Sequence, residues 1–261
     1  MALVVPELKT MYEIRNAFVL VIVNEKFQYF ERRCGADADR RNIYTLCKNA
    51  HFTLNETRGL KTDDLTAEEM EDLFETISKG NFSPYDAFIC FISSYGDSGG
   101  ILGVDCDNIT VKEIVRHLSK RCSTLVGKPK LFFIQSCRPR MKDEVGDKVV
   151  AEHAAYSTSS SITVPIETDI LVAYSSLDGY ESYRNLKEEG SWFITVLTQV
   201  LSKYAHYMSL TDMLAKVNEI VTSMEHCGKR QMPLFMSTLR KAVNLKMSKP
   251  SESKELPACN L

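Results

Sequence analysis

Three short and nearly uninterrupted apolar runs recur along the first half of the chain. They span Ala17–Val23, Ala87–Ser93 and Lys130–Gln135, six or seven residues each. Runs of this length are far too short to cross a bilayer. Compact apolar segments rich in β-branched and aromatic residues instead predict strands buried inside a sheet.

Amphipathic segments lie between these runs. Their spacing predicts helices over Asp37–Lys48, from the capping box of Thr66 and Glu69 onward, and over Thr110–Cys122, with a further strand over His51–Thr57. Alternation of strand, helix and strand is typical of an α/β fold, with a mostly parallel sheet flanked by helices on both faces.

A second, smaller part follows a long connection. Residues 138–165 combine acidic residues with a serine-rich run and show no apolar period, so we expect a flexible linker. Beyond it, the pattern predicts strands over Ile170–Ser175 and Pro233–Leu239, and helices over Ser191–Tyr204 and Leu210–Met224. We expect both parts to share one sheet, and the polar tail from residue 246 to 261 to fray.

The composition excludes several classes of partner. Lys and Arg number 32 against 34 Asp and Glu, for a formal net charge of −2. This balance gives no electrostatic support for a nucleic-acid or membrane-surface partner. No signal peptide is recognisable, so we expect a cytoplasmic protein whose eight cysteines stay reduced.

Cys137 lies two residues after the third apolar run, within Gln-Ser-Cys-Arg-Pro at 135–139. The carboxyl edge of a parallel sheet is where α/β proteins place ligands, although a strand-end cysteine is more often a buried structural residue. The surrounding motifs are more specific. They are Arg33-Cys-Gly-Ala-Asp37, Gly127–Gln135, Pro165–Asp169, Ala173-Tyr-Ser175, Gly190-Ser-Trp-Phe193 and Gln231-Met-Pro233. In this order, over roughly residues 14 to 245, they resemble the caspase family of Asp-directed cysteine endopeptidases.

The resemblance implies a caspase-like fold and a set of site residues. Cys137 would be the nucleophile, and the backbone N–H groups of Cys137 and Gly96 would form the oxyanion hole. Arg33, Gln135 and Arg184 would bind the aspartate side chain of a substrate, because two guanidinium groups and an amide can hold one carboxylate. The substrate would lie as an added strand along the segment from Tyr183. No cofactor or metal is implied.

The resemblance also divides the chain. It implies a short peptide at 1–13 without a recruitment domain, a large-subunit-like part at 14–137, the linker at 138–165, and a small-subunit-like part at 166–245. Two possibilities remain open for the linker: cleavage after Asp143 or Asp147, or an ordinary acidic loop. Asp169 leads directly into a predicted strand, so we expect a structural role for it rather than cleavage.

One residue breaks the family pattern at its chemical centre. The family places its catalytic histidine in Ser-His-Gly after the third strand, and this chain has Ser94-Tyr95-Gly96 there. Tyrosine has a pKa near 10 and is a poor base at neutral pH. Loss of general acid–base catalysis typically lowers a rate by about 10²–10⁴-fold. Peptide hydrolysis is therefore expected to be much impaired.

Three further departures surround this one. Pro139 replaces a glycine after the motif's arginine and removes an N–H group. Tyr183 replaces a tryptophan, and Glu181 places a negative charge where the family often has an aromatic residue.

Three hypotheses follow. The first is a caspase homologue with impaired catalysis that regulates an active caspase in apoptosis, pairing with it or with itself through the 233–239 strand. The second is an active Asp-specific cysteine endopeptidase. The third is a protein that binds aspartyl motifs without cleaving them.

Overall fold

The computed structural model describes residues 11–55, 59–97, 100–136, 168–177, 182–185, 190–225, 228 and 230–247, with only the backbone at 184–185. In chain order the described elements are β1 (Met11–Ile14), β2 (Ala17–Val23), α1 (Ala36–Asn49), β3 (Thr53–Leu54), α2 (Ala67–Ser78), β4 (Ala87–Ser93), β5 (Ile101–Leu102), β6 (Asn108–Ile109), α3 (Val111–Lys120), β7 (Lys130–Gln135), β8 (Ile170–Tyr174), β9 (Arg184–Asn185), β10 (Gly190–Ser191), α4 (Trp192–Tyr204), α5 (Leu210–Ser223), β11 (Leu234–Ser237) and β12 (Ala242–Leu245).

A six-stranded sheet in the order β11-β8-β7-β4-β2-β3 forms the centre of the molecule. Every pairing in it is parallel except the one that joins the edge strand β11 to β8. Strands from both parts of the chain contribute, because β8 and β11 extend the sheet beyond β7. The predicted α/β fold, with a mostly parallel sheet shared by the two parts, is confirmed.

The alternation of side chains along the central strands builds two cores. Val19 and Val21 of β2 face one layer, which also holds buried residues of α1, α4 and α5. Phe18 and Leu20 of the same strand face the other layer, together with buried residues of α2 and α3. Both faces of β2 and β4 are covered, which accounts for the apolar composition of β2 throughout and of β4 up to Ser93.

Some strand boundaries differ from the prediction. The strand predicted over Pro233–Leu239 is Leu234–Ser237, and the one predicted over Ile170–Ser175 ends at Tyr174. In the predicted strand over His51–Thr57, the described residues 51–55 form a strand only at Thr53–Leu54, and residues 56 and 57 lie outside the described residues. His51 instead takes a left-handed backbone conformation, with φ of 56°, in the turn that follows α1.

The beginning and end of the described chain pair in a way that was not predicted. β1 and β12 form a parallel ladder, in register from Met11 with Ala242 to Ile14 with Leu245. Lys246 then donates its N–H to the Ile14 carbonyl at 2.8 Å, and Met247 is buried against the core. Burial of Met247 and a backbone hydrogen bond thus hold the first two residues of the tail that was expected to fray, and residues 248–261 lie outside the described residues.

None of the helices that the structure describes combines the length and the apolar content needed to cross a bilayer.

Candidate active site

The carboxyl ends of β4 and β7 lie side by side. The parallel register pairs Ser93 with Gln135, and Ser94 donates its N–H to the Gln135 carbonyl at 3.0 Å. The residues that follow β4, including Tyr95, therefore lie next to the end of β7 and Ser136. This is the carboxyl edge of the sheet, where the sequence analysis expected the site. Cys137, Pro139 and Glu181 lie outside the described residues.

Gly96 is held in a short antiparallel bridge with Ile101. The flanking hydrogen bonds run from the Leu102 N–H to the Tyr95 carbonyl at 2.9 Å and from the Asp97 N–H to the Gly100 carbonyl at 3.0 Å. Neither bond uses the N–H of Gly96. This geometry fits the oxyanion role that the resemblance implies for Gly96, which stays a prediction.

Tyr95 is a half-buried residue that packs in a small aromatic cluster with Phe27 and Phe30. Its ring lies 4.8 Å from the ring of Phe27 and 5.4 Å from that of Phe30, and the Arg33 guanidinium lies 5.6 Å from its centroid. Its hydroxyl donates to the Glu31 carbonyl at 3.3 Å. The phenol hydroxyl is thus engaged in a hydrogen bond to a backbone carbonyl. The aromatic contacts hold the ring, and the smaller imidazole ring of a histidine would make them less well.

Arg33 and Gln135 line one small cavity of about 10 Å³. Both residues are 4% exposed. Arg33 donates from Nη1 to the Asn24 carbonyl at 2.8 Å and from Nη2 to the Ser93 hydroxyl at 3.0 Å. Among the described residues, the buried Oε1 of Gln135 has no hydrogen-bond partner. The two residues meet as the resemblance implies, and the cavity admits a group about the size of one water molecule.

A buried carboxylate, Asp39 of α1, lines the same cavity. Its Oδ1 accepts the N–H of Ser191 at 2.8 Å and the Ser191 hydroxyl at 2.9 Å, and its Oδ2 accepts the Ser93 hydroxyl at 3.0 Å. Burial raises the pKa of Asp39, while the hydrogen bonds from Ser191 and Ser93 and the charge of Arg33 oppose that rise.

Serine hydroxyls hold Ser136, the last described residue of its segment. Ser175 accepts the Ser136 N–H at 3.2 Å and donates to the Ser136 carbonyl at 3.0 Å, and Ser182 donates to the same carbonyl at 3.0 Å. Because β7 and β8 pair in parallel, these contacts fix the chain at the point where β7 ends.

Gln231 links this region to the segment that the resemblance assigns to substrate binding. Its Nε2 donates to the Ser175 carbonyl at 2.7 Å, and its Oε1 accepts the Tyr183 N–H at 2.7 Å. The Tyr183 ring packs against Trp192 at 5.4 Å. Arg184 follows in β9, where its backbone pairs with Ser191; its side chain lies outside the described residues.

The described histidines all lie away from this edge of the sheet. His51 precedes β3 near the amino end of β2. His117 is buried on α3, with Nε2 3.9 Å from a carboxylate oxygen of Glu71. His206 packs against Tyr207 after α4, a helix of 13 residues and about 20 Å that begins at the site. His153 and His226 lie outside the described residues.

Sequence analysis missed Asp39 and the serines around it. A signal was present, because Asp39, Ile43 and Leu46 follow the spacing of one helix face, and an acid on an apolar face is unusual unless it is paired. The described residues also contain no cluster of three or more His, Cys, Asp or Glu side chains that could hold a metal ion.

Comparison with known proteins agrees with these features. The caspase-domain family model matches residues 16–244. Caspase-3 of Bos taurus is 34% identical over 218 residues, which cover 80% of this chain and 76% of the relative. Caspase-3 of Mesocricetus auratus is 36% identical over 236 residues, covering 85% of this chain and 82% of the relative. The caspase-3 of Oryctolagus cuniculus is 33% identical over 234 residues, covering 85% and 81%. With this sheet order and these motifs, the chain belongs to the caspase family.

Proposed function

We propose that this chain is a caspase homologue with impaired peptide hydrolysis that regulates an active caspase in apoptosis, in the cytoplasm, by pairing with it. The proposal is supported by Tyr95, which stands in Ser94-Tyr95-Gly96 where the resemblance implies the catalytic histidine of the family. The fold around that position is otherwise that of the family.

The expected loss of activity follows from proton transfer. An imidazole would take the proton from the Cys137 thiol and return it to the leaving amine. The Tyr95 hydroxyl donates a hydrogen bond to the Glu31 carbonyl, and its ring packs against two other aromatic rings. It offers no basic nitrogen, so hydrolysis is slowed by about 10²–10⁴-fold, or roughly 3–5 kcal/mol of barrier.

Strand β11 supplies the surface for pairing. It is the edge strand of the central sheet and is bonded to β8 on one side. Met236 in the strand and Met232 just before it are 44% and 43% exposed. An edge strand with exposed apolar side chains is suited to pair with the same edge of a related chain across a two-fold axis.

A second function, binding of aspartyl motifs without cleavage, is supported by the position of Arg33 next to Gln135. A buried guanidinium favours a small anionic group, and an amide can add a donor through its nitrogen. This binding does not need the missing histidine, so it can accompany regulation of a partner caspase.

Mixing with purified active caspase-3 tests the first proposal. We expect a complex in sedimentation velocity and a changed rate of hydrolysis by the caspase-3. Met236→Lys places a charge on the edge of β11 and should abolish both effects. Met11→Lys is the matched control, because Met11 is a strand methionine of similar exposure, 41%, on β1.

Absence of any complex and of any change in rate, with the wild-type chain in excess, would contradict regulation by pairing. A complex that survives Met236→Lys would contradict the assignment of β11 as the pairing surface.

A further inference from the structure

Asp39 contacts two residues that are partners of the arginines of the proposed aspartate pocket: Ser93, which binds Arg33, and Ser191, which pairs with Arg184. The residue is 1% exposed, on the first turn of α1. One of its carboxylate oxygens faces Ser93 of β4, and the other faces Ser191 of β10. Ser93 and Ser191 lie far apart in the sequence, so this carboxylate joins the larger and smaller parts of the chain.

The first connection leads to Arg33. A serine hydroxyl has a single proton to donate. Ser93 gives that proton to Asp39 at 3.0 Å, so it acts as the acceptor for Nη2 of Arg33 at 3.0 Å. With the Asn24 carbonyl bound to Nη1, the guanidinium is fixed at two points, and one of them depends on Asp39.

The second connection leads to β9. Ser191 donates both its N–H and its hydroxyl to Asp39, and across the β9–β10 ladder Ser191 is the partner of Arg184. Helix α1 and strand β10 approach so closely that a Cβ on Gly190 would lie 2.7 Å from Oδ1 of Asp39. Gly190 also has φ of +87°, which favours glycine.

We infer that Asp39 is a positioning residue for the proposed aspartate pocket: it orients Arg33 through Ser93 and holds the strand of Arg184 through Ser191. The inference rests on the proposed binding of aspartyl motifs. Recognition of a carboxylate by two guanidinium groups depends on their mutual geometry. Loss of Asp39 should therefore reduce the selectivity for aspartate more than it reduces binding of the peptide backbone.

The test compares two fluorescent peptides on the full chain. Both are amidated tetrapeptides, one ending in aspartate and the other in asparagine, and their Kd values are measured by fluorescence anisotropy. We expect the wild type to prefer the aspartyl peptide. In Asp39→Asn this preference should fall about tenfold, the size of one hydrogen bond to a charged group. Binding of the asparagine peptide should change little, whereas general structural damage would weaken both peptides alike.

Two further variants control for folding. Asp37→Asn removes a carboxylate from the same helical turn, where Asp37 is exposed and bonded to Arg40, and it should keep the wild-type preference. Ser93→Ala breaks only the connection to Arg33 and leaves the contacts of Asp39 with Ser191 in place. Ser93→Ala should also lose the preference for the aspartyl peptide, so the test can still be carried out if Asp39→Asn does not fold.

Equal preference in the wild type, Asp39→Asn and Ser93→Ala would overturn the inference, as would a wild type that does not distinguish the two peptides. Pairing with caspase-3, measured on the same samples, reports separately on regulation. A chain that pairs but shows no preference for aspartate therefore refutes the positioning role and leaves the regulatory proposal standing.

Discussion

The ion pair between Asp169 and Arg240 offers the sharpest stability prediction. Asp169 is fully buried at the start of β8, and its carboxylate accepts the Tyr12 hydroxyl at 2.7 Å and Nε of Arg240 at 3.1 Å, with a further bond from Nη2. One carboxylate thus ties β1 and the β11–β12 connection to the sheet. Burial acts to raise the pKa of Asp169, but the hydrogen bonds from Arg240 and Tyr12 outweigh it and hold that pKa below its usual value.

Arg240→Met removes the cation and leaves the carboxylate buried. Only the Asp169 side of this pair is buried, because the Arg240 side chain is 56% exposed. Taking a partner away from a buried hydrogen-bonding group costs about 1–3 kcal/mol. The Tyr12 hydroxyl and the backbone N–H at position 240 remain as donors, so we expect a loss of about 2 kcal/mol in the free energy of unfolding. Urea denaturation at pH 7 measures this loss. Arg230→Met is the control: its pair with Glu225 is exposed at 69% and 46%, so the cost should stay below about 1 kcal/mol.

The pH dependence provides a second check on the same variant. A carboxylate with a lowered pKa in the folded state adds stability above its unfolded pKa, near 3.9, and that stability is lost as the pH falls through the folded value. The difference in the free energy of unfolding between the wild type and Arg240→Met should therefore become smaller as the pH is lowered toward and below about 4. A loss no larger than that of Arg230→Met, or a difference that does not change with pH, would refute the reasoning.

Three further predictions concern other parts of the fold. Thr66→Ala removes the side-chain arm of the capping box, which accepts the Glu69 N–H, and should cost about 1 kcal/mol in urea unfolding; no loss would contradict the role of the cap. Gly103→Ala would place a Cβ 2.2 Å from the Ala67 nitrogen and should lower the free energy of unfolding by about 1–3 kcal/mol, so an unchanged midpoint would argue against this close approach. Burial raises the pKa of Cys47 to about 12, so mass spectrometry should find Cys47 protected from iodoacetamide at pH 8 while the exposed Cys34 reacts; equal rates would contradict this burial.

The sheet could be predicted because its strands carry a strong local signal. β2, β4 and β7 are covered on both faces, so their apolar runs stand out from the helices between them. The carboxyl edge followed from their parallel order. β1 and β12 gave no such signal, since they are four residues long, partly exposed, and paired across most of the chain.

The candidate site was predictable in its motifs and not in its supporting contacts. Arg33 and Gln135 stand in recognisable sequence patterns and meet in one cavity. The contacts of Asp39 could not be predicted in the same way. Its partners Ser93 and Ser191 lie 54 and 152 residues away, and no local sequence pattern indicates which residues pair over such distances. The contact of Tyr95 with Phe27 and Phe30 was likewise invisible, because the loop that brings these rings together has no regular period.

The most direct test of the central claim is the hydrolysis of an Asp-containing reporter peptide by the wild type and by Tyr95→His, each compared with the same chain carrying Cys137→Ala. If the missing imidazole limits catalysis, Tyr95→His should raise the Cys137-dependent rate by about 10²–10⁴-fold. Equal rates in the two chains, whether both are high or both are absent, would contradict the claim that Tyr95 is what separates this caspase homologue from an active protease.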